Sequence, residues 1–274
     1  MTKMKLLSLV IATGLILIHR VDSSNVYYIT PSPASQCPGE PCLTLSTLAA
    51  NSTNSSDYFD SNITLIFLEG SHTLDSELVV SDMDRFVMLS TPGNGPGTAA
   101  VIQCSTEGRL EISHITQLQI SGLEFIGCSS RVEFVDQFTL EDSRFYGGNS
   151  DSTLHLNYTD ASIVRSSFVS NMAGTYQRHV GVLAYYASVY RDDFPYRSRP
   201  YIHSTSAIVG GALTVTNSTV NVSQCHFESN TAKVGGAIFS HQGSSITISN
   251  CTFVNNSATG CSAYYYYHDG SCHG

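Results

Sequence analysis

The chain has 274 residues, with 13 basic against 22 acidic side chains for a net charge of −9, 42% hydrophobic residues, no Trp and eight Cys. That apolar content suits a packed globular core, and the acidic balance repels phosphate backbones, which argues against a nucleic-acid partner. The cysteines show none of the paired two-residue gaps of a zinc site, and no cofactor is expected.

Lys3 and Lys5 precede an uncharged run from Leu6 to Ile18, which is followed by Arg20 and the exit Val21-Asp22-Ser23. A charged start, an apolar stretch of 13 residues and small residues at the exit predict a secretory signal peptide over 1–23. The stretch is too short to span a bilayer, which takes about 20 apolar residues, so no transmembrane segment is expected in the mature chain. Loss of the leader leaves 10 basic against 21 acidic residues, a net charge of −11. An extracellular setting agrees with eight Asn-x-Ser/Thr sequons, at Asn51, Asn54, Asn62, Asn157, Asn217, Asn221, Asn250 and Asn255. It also makes the cysteines candidates for disulfides.

After the leader, Val26–Thr30 reads as a first strand, Leu43–Ala50 as a short capping helix and Asn51–Ser61 as a glycosylated loop. A cap is physically needed, because the open end of a stacked sheet is an exposed edge. Short apolar pairs follow at Ile63-x-Leu65-x-Phe67, Leu78-x-Val80, Phe86-x-Met88 and Val101-Ile102.

From there a repeat takes over. Five segments share apolar, any, apolar, four residues, Phe: Leu118-x-Ile120 to Phe125, Phe138-x-Leu140 to Phe145, Ala161-x-Ile163 to Phe168, Val220-x-Val222 to Phe227, and Ile246-x-Ile248 to Phe253. The Phe positions are 20, 23, 59 and 26 residues apart, so one gap is a repeat carrying a long insertion. Period-2 pairs this short mean strands of about three to five residues, which bury their apolar face by stacking on copies of themselves. The five Phe residues are then expected in one inward column. Gly210-Gly211 and Gly235-Gly236 supply backbone freedom at turns. Asn171, Asn230 and Asn256 each follow the column Phe by three residues, where Asn tolerates the left-handed region and its amide can bond its counterpart one rung away.

Phe-x-x-Asn (Phe168 to Asn171, Phe227 to Asn230, Phe253 to Asn256) with Gly-Gly-Ala-Leu/Ile resembles the polymorphic outer membrane protein repeat of bacterial adhesins. The wider class resembles the pectin lyase-like superfamily. That resemblance implies an all-β, right-handed single-stranded parallel β-helix in an extracellular setting, and carries no catalytic residue. The chain accordingly divides into the leader (1–23), an N-terminal cap and loop (24–61), the β-helix (62–260) with an insertion at 175–207, and a Cys/Tyr-rich tail (261–274). It stops soon after its best repeat, as a piece of a longer repeat protein would.

The insertion departs from the rest in composition, holding six of the 15 Tyr and Arg178, Arg191, Arg197 and Arg199. Tyr and Arg at such density suit a loop-borne binding surface. Tyr186, Tyr190, Arg191, Tyr196, Arg197 and Arg199 are the candidate binding residues, facing an extracellular protein or glycan. Asp192 and Asp193 invite an acid–base reading, but adjacent residues on an extended segment point to opposite sides. The Asp motifs and Gly-His-Gly of polygalacturonase-like members are missing. A secreted binding, adhesion or scaffold module without catalysis is therefore the leading expectation, and a lyase or hydrolase acting on acidic glycans the alternative.

For the cysteines, Cys37–Cys42 and Cys261–Cys272 sit in irregular segments free to bridge, whereas Cys225/Cys251 and Cys104/Cys128 lie about one repeat apart. In-register rungs hold Cβ atoms at about 4.8 Å, beyond the usual disulfide spacing of about 3.8 Å. That spacing favours reduced ladder thiols, and the connectivity of Cys104, Cys128, Cys225 and Cys251 stays open.

Overall fold

A computed structural model describes residues 11–12, 15–16, 25–31, 42–52, 61–91, 100–148, 152–173 and 210–259. Ile11–Ala12 and Leu15–Ile16 pair antiparallel; every other strand pairing is parallel. The parallel strands form an eleven-stranded sheet, a seven-stranded sheet and a small pair, and each strand lies beside its counterpart one rung away. This is a parallel β-helix.

One rung shows how the residues make the coil. The strand Arg109–Ser121 buries Leu110 and Ile112, bends at His114, and then buries Ile115, Leu118 and Ile120. The strand Leu123–Ile126 follows and buries Leu123 and Phe125. Period-2 alternation puts each apolar residue inside, and the bends reset its phase.

Sixteen residues with positive φ sit at bends of the coil and stack into three columns. The first holds Asp82, His114, Phe134, Tyr158, Asn217 and Gln242; the second Gly122, Asp142, Arg165, Gln224 and Asn250; the third Gly127, Gly147, Ser170, Ser229 and Asn255. In the second and third columns the bend amide donates to a carbonyl of the adjoining rung, as in Asp142 N–H to Val164 O at 3.2 Å and Ser170 N–H to Glu228 O at 2.9 Å. The corner geometry thus costs no backbone hydrogen bond.

The Phe column is as expected. Phe125, Phe145, Phe168, Phe227 and Phe253 pair in register, with successive ring centroids 4.6, 5.0, 5.0 and 4.9 Å apart and planes within 7°. It runs upstream into Ile102 and the buried His72. Phe168 stacks directly on Phe227, so the long gap between them is one rung plus an excursion. Ile248 lies over Val222, also as expected.

Beside the Phe column runs an amide ladder. Asn171 Nδ2 donates to Asn230 Oδ1 at 2.9 Å, and Asn230 Nδ2 to Asn256 Oδ1 at 2.8 Å. Each amide nitrogen also reaches the carbonyl of the preceding rung's Phe: Phe145, Phe168 and Phe227. Asn171 and Asn230 are fully buried, which is tolerable because both ends of each amide are satisfied. These asparagines are not the left-handed residues of their turn; Ser170, Ser229 and Asn255, one position earlier, are. Of each Gly pair, the first member carries the positive φ, 62° at Gly210 and 65° at Gly235. The second is needed for close approach, since a Cβ on Gly211 would meet the Gly236 carbonyl.

Two expectations are corrected. The capping helix is Leu45–Ser52, not Leu43–Ala50, because Thr44 caps it: Thr47 N–H donates to Thr44 Oγ1 at 3.2 Å. Asn51 therefore lies in the last turn of a helix instead of opening a loop. Cys104 and Cys128 form a disulfide, with Cα atoms 5.0 Å apart. They are offset by one position, since Gln103 pairs with Ile126 and Cys128 lies beyond the left-handed Gly127; the bend turns the second Cβ toward the first. Cys225 and Cys251 hold equivalent positions two residues before the column Phe, and both are free thiols, as expected. Cys42 is disulfide-bonded, while Cys37, Cys261 and Cys272 lie outside the described residues.

Candidate functional site

Tyr186, Tyr190, Arg191, Tyr196, Arg197 and Arg199 lie outside the described residues, as does Asn54. The chain is described up to Ala173 and again from Gly210, and both ends rest on one rung: Ala173 N–H donates to Thr231 O at 2.9 Å and Gly210 N–H to Val234 O at 3.0 Å. Ala173 and Gly210, the described residues flanking the insertion, therefore both pair with the rung that carries Asn230.

The outer faces of the described rungs carry three polar or aromatic arrays. No local motif marks them, because each emerges only from register. The first lies on the half-strands before the His114 column. Glu77, Arg109, Glu111, Arg131 and Glu133 alternate across rungs, with Arg109 Nη2 to Glu77 Oε2 at 3.0 Å, Arg109 Nε to Glu111 Oε1 at 3.3 Å, and Arg131 between Glu111 and Glu133 at 4.0 and 3.9 Å. Burial pushes the Glu111 carboxyl above its ordinary value, against the pull of Arg131 and Arg109. His155 sits over Arg131 in the next rung. Burial, with Arg131 and His241 nearby, lowers its pKa to about 4, so the ring is neutral at physiological pH. Two guanidiniums are thus set among three carboxylates along the coil.

The second array is a shallow groove on the half-strands after that bend, lined by Arg85, Val87, Gln117, Leu118, Gln119, Gln137 and Thr139. Arg85, Gln117 and Gln137 are register partners, as are Val87, Gln119 and Thr139. Side-chain amides and one exposed guanidinium thus face outward at the strand spacing of about 4.8 Å.

The third array is aromatic. His114 stacks on Phe134 with centroids 5.0 Å apart, and Phe134 on Tyr158 at 5.1 Å with planes 6° apart. Unlike Phe125, Phe145, Phe168 and Phe227 in the inner column, these rings face solvent, Phe134 being 44% and Tyr158 54% exposed. All three have φ between 49° and 53°, a conformation that favours Gly, Asn and Asp and costs a bulky residue about 1–2 kcal/mol. Stacking offsets this by about 0.5–1.5 kcal/mol per pair. Asp82 and Asn217, types at ease in that conformation, occupy the positions beyond the two ends.

The sequons sort by exposure. Asn221, Asn250 and Asn255 are exposed, and Asn51, Asn62, Asn157 and Asn217 are half-buried. Asn157 points its Nδ2 at Glu133 Oε1, 3.4 Å away, and its Oδ1 is buried. Asn217, Asn250 and Asn255 are left-handed bend residues. Among the described residues, no group of three or more His, Cys, Asp or Glu could hold a metal ion, and no helix is long and apolar enough to cross a membrane.

A family model described as a right-handed beta helix region matches residues 99–271, well over half of the chain. No curated protein and no solved structure matches it.

Proposed function

The chain belongs to the right-handed β-helix family, and we propose that it is a secreted binding or scaffold module working through the outer faces of its coil, without catalysis. The observation that carries this reading is the groove of Arg85, Gln117, Gln119, Gln137 and Thr139. It offers donors and acceptors in register on successive rungs, with one cation, and suits an extended hydroxyl-rich polymer such as a weakly charged or neutral glycan. The Cys104–Cys128 disulfide within the rungs fits an oxidising compartment, as do the leader-like N-terminus and the sequons. The Tyr/Arg-rich stretch at 175–207 is a second contact surface in this reading.

The test is binding of the purified chain to an array of neutral and acidic polysaccharides, with turnover followed on the same glycans with and without calcium. The proposal expects retention without cleavage, weakened by Arg85→Ala and by Gln137→Ala. Removal of 175–207 leaves the coil folded, because loop closure between adjacent rungs costs little, and weakens attachment to protein surfaces. Calcium-dependent release of unsaturated or shortened glycans would replace this reading with the polysaccharide-degrading alternative.

A further inference from the structure

The outer aromatic ladder ends on a sequon. Asn157 pairs with Thr216, and Thr159 N–H donates to Ser218 Oγ at 3.0 Å, so Tyr158 stands directly over Asn217 in the next rung. The two residues have nearly the same φ, 49° and 47°, and their side chains therefore leave the corner in the same direction. One face of the Tyr158 ring is covered by Phe134, at 5.1 Å with planes 6° apart. The other face looks down the column toward Asn217. Asn217-Ser218-Thr219 satisfies the N-glycosylation pattern.

We propose that Asn217 carries an N-linked glycan whose first N-acetylglucosamine stacks on the free face of Tyr158, as a fourth member of the ladder. This rests on the secretory route proposed above. The donor is a lipid diphosphate-linked oligosaccharide. Asn217 Nδ2 forms a bond to the anomeric carbon of the first sugar, the bond from that carbon to the diphosphate oxygen breaks, the lipid diphosphate leaves, and the amide gives up one proton. Asn217 holds the register position next to Tyr158, so a pyranose attached at Nδ2 leaves the same corner one rung away, at the strand spacing of about 4.8 Å. A pyranose presents axial C–H groups on its face, and these match the electron-rich face of an aromatic ring.

Two further observations favour Asn217 for this role. Asn157, the neighbouring sequon, turns its amide toward Glu133 and buries its oxygen, so it has no such outward path. Asn250 and Asn255 are also bend residues, but their columns hold Arg165 and Gln224, or Ser170 and Ser229, in the adjoining rungs and offer no ring. The three strained aromatic bends thus have a use: they build a platform that ends where a sugar can be attached.

The test uses the full chain secreted from a eukaryotic cell line. Glycopeptide mapping is expected to find Asn217 occupied. Thr219→Ala removes the sequon and keeps Asn217, while Thr219→Ser keeps both. With Tyr158 present, Thr219→Ala is expected to lower Tm by about 2–4 °C relative to Thr219→Ser, the shift of roughly one stacking contact in a domain of this size. In a Tyr158→Leu background, which leaves the Asn157 sequon intact, the same comparison is expected to lose most of that shift. Enzymatic trimming to one N-acetylglucosamine is expected to preserve it. Equal shifts in both backgrounds, or an empty Asn217 while Asn221, Asn250 or Asn255 is occupied, would overturn the proposal alone. Glycan at none of the sequons would overturn it together with the secretory reading.

Discussion

Phe145 and Phe134 belong to the same turn of the coil, and each ring is sandwiched between two others at about 5 Å. Phe145 is 1% exposed and sits in an ordinary strand; Phe134 is 44% exposed and sits at a left-handed bend. In-register stacking therefore does not depend on burial. A parallel coil repeats whatever it is given, inside or out, and the energy of the repeat depends on what the surrounding water would otherwise cover. The inner column gains hydrophobic burial plus stacking, whereas the outer ladder gains stacking against backbone strain.

That difference sets the order of the expected effects. Phe168→Ala is expected to cost about 3–5 kcal/mol in chemical denaturation, since it empties a fully buried site between two rungs. Phe253→Ala is expected to cost clearly less, because that ring is 46% exposed on the last described rung. Equal costs would mean that burial is not what sets the energy of a stacked ring.

Asn230→Ala comes next. It strips partners from the amides of Asn171 and Asn256 and from the Phe168 carbonyl, and an unsatisfied buried polar group costs about 1–3 kcal/mol. A loss below about 1 kcal/mol would show that water replaces the ladder.

A pH titration sharpens the view of the charged face. His155 has a folded pKa of about 4 against 6.5 for the free side chain. Between those values the unfolded chain binds a proton that the folded chain refuses, so stability is complete above about pH 6.5 and falls as pH drops toward 4. His155→Gln is expected to flatten that slope in denaturation midpoints measured across the window. An unchanged slope would place the titration elsewhere, with His72, whose pKa burial also lowers, as the next group to replace.

The smallest effect is expected at Phe134→Gly. The substitution gives up two stacking contacts and relieves a strained φ, so stability should change by no more than about 1 kcal/mol. A loss as large as that of Phe168→Ala would erase the distinction between inner and outer columns.

The inner architecture was legible in the sequence because burial imposes a pattern. Phe at a fixed offset from an apolar pair, and Asn three residues later, are chemically restricted choices that repeat. The corners were less legible. Asp82, His114, Phe134, Tyr158 and Asn217 share one backbone state with five different side chains, so no residue type marks the position, and the ladder appears only once register is known. The cysteines show the same limit: Cys104 and Cys128 differ from Cys225 and Cys251 by a one-residue offset across Gly127, which repeat spacing alone does not resolve. The groove of Arg85, Gln117 and Gln137 likewise draws its three side chains from three rungs, and no local motif connects them.

The central claim is that rungs stack in register across the long excursion, and a set of double-mutant cycles tests it most directly. Phe168 and Phe227 are 59 residues apart in sequence and 5.0 Å apart between ring centroids. Their alanine pair is expected to show a coupling energy of about 0.5–3 kcal/mol, close to that of Phe145 with Phe168. The pair Phe125 and Phe227, which are not adjacent in the column, is expected to be additive within about 0.5 kcal/mol. Additivity of Phe168 with Phe227, alongside clear coupling of Phe145 with Phe168, would contradict the account.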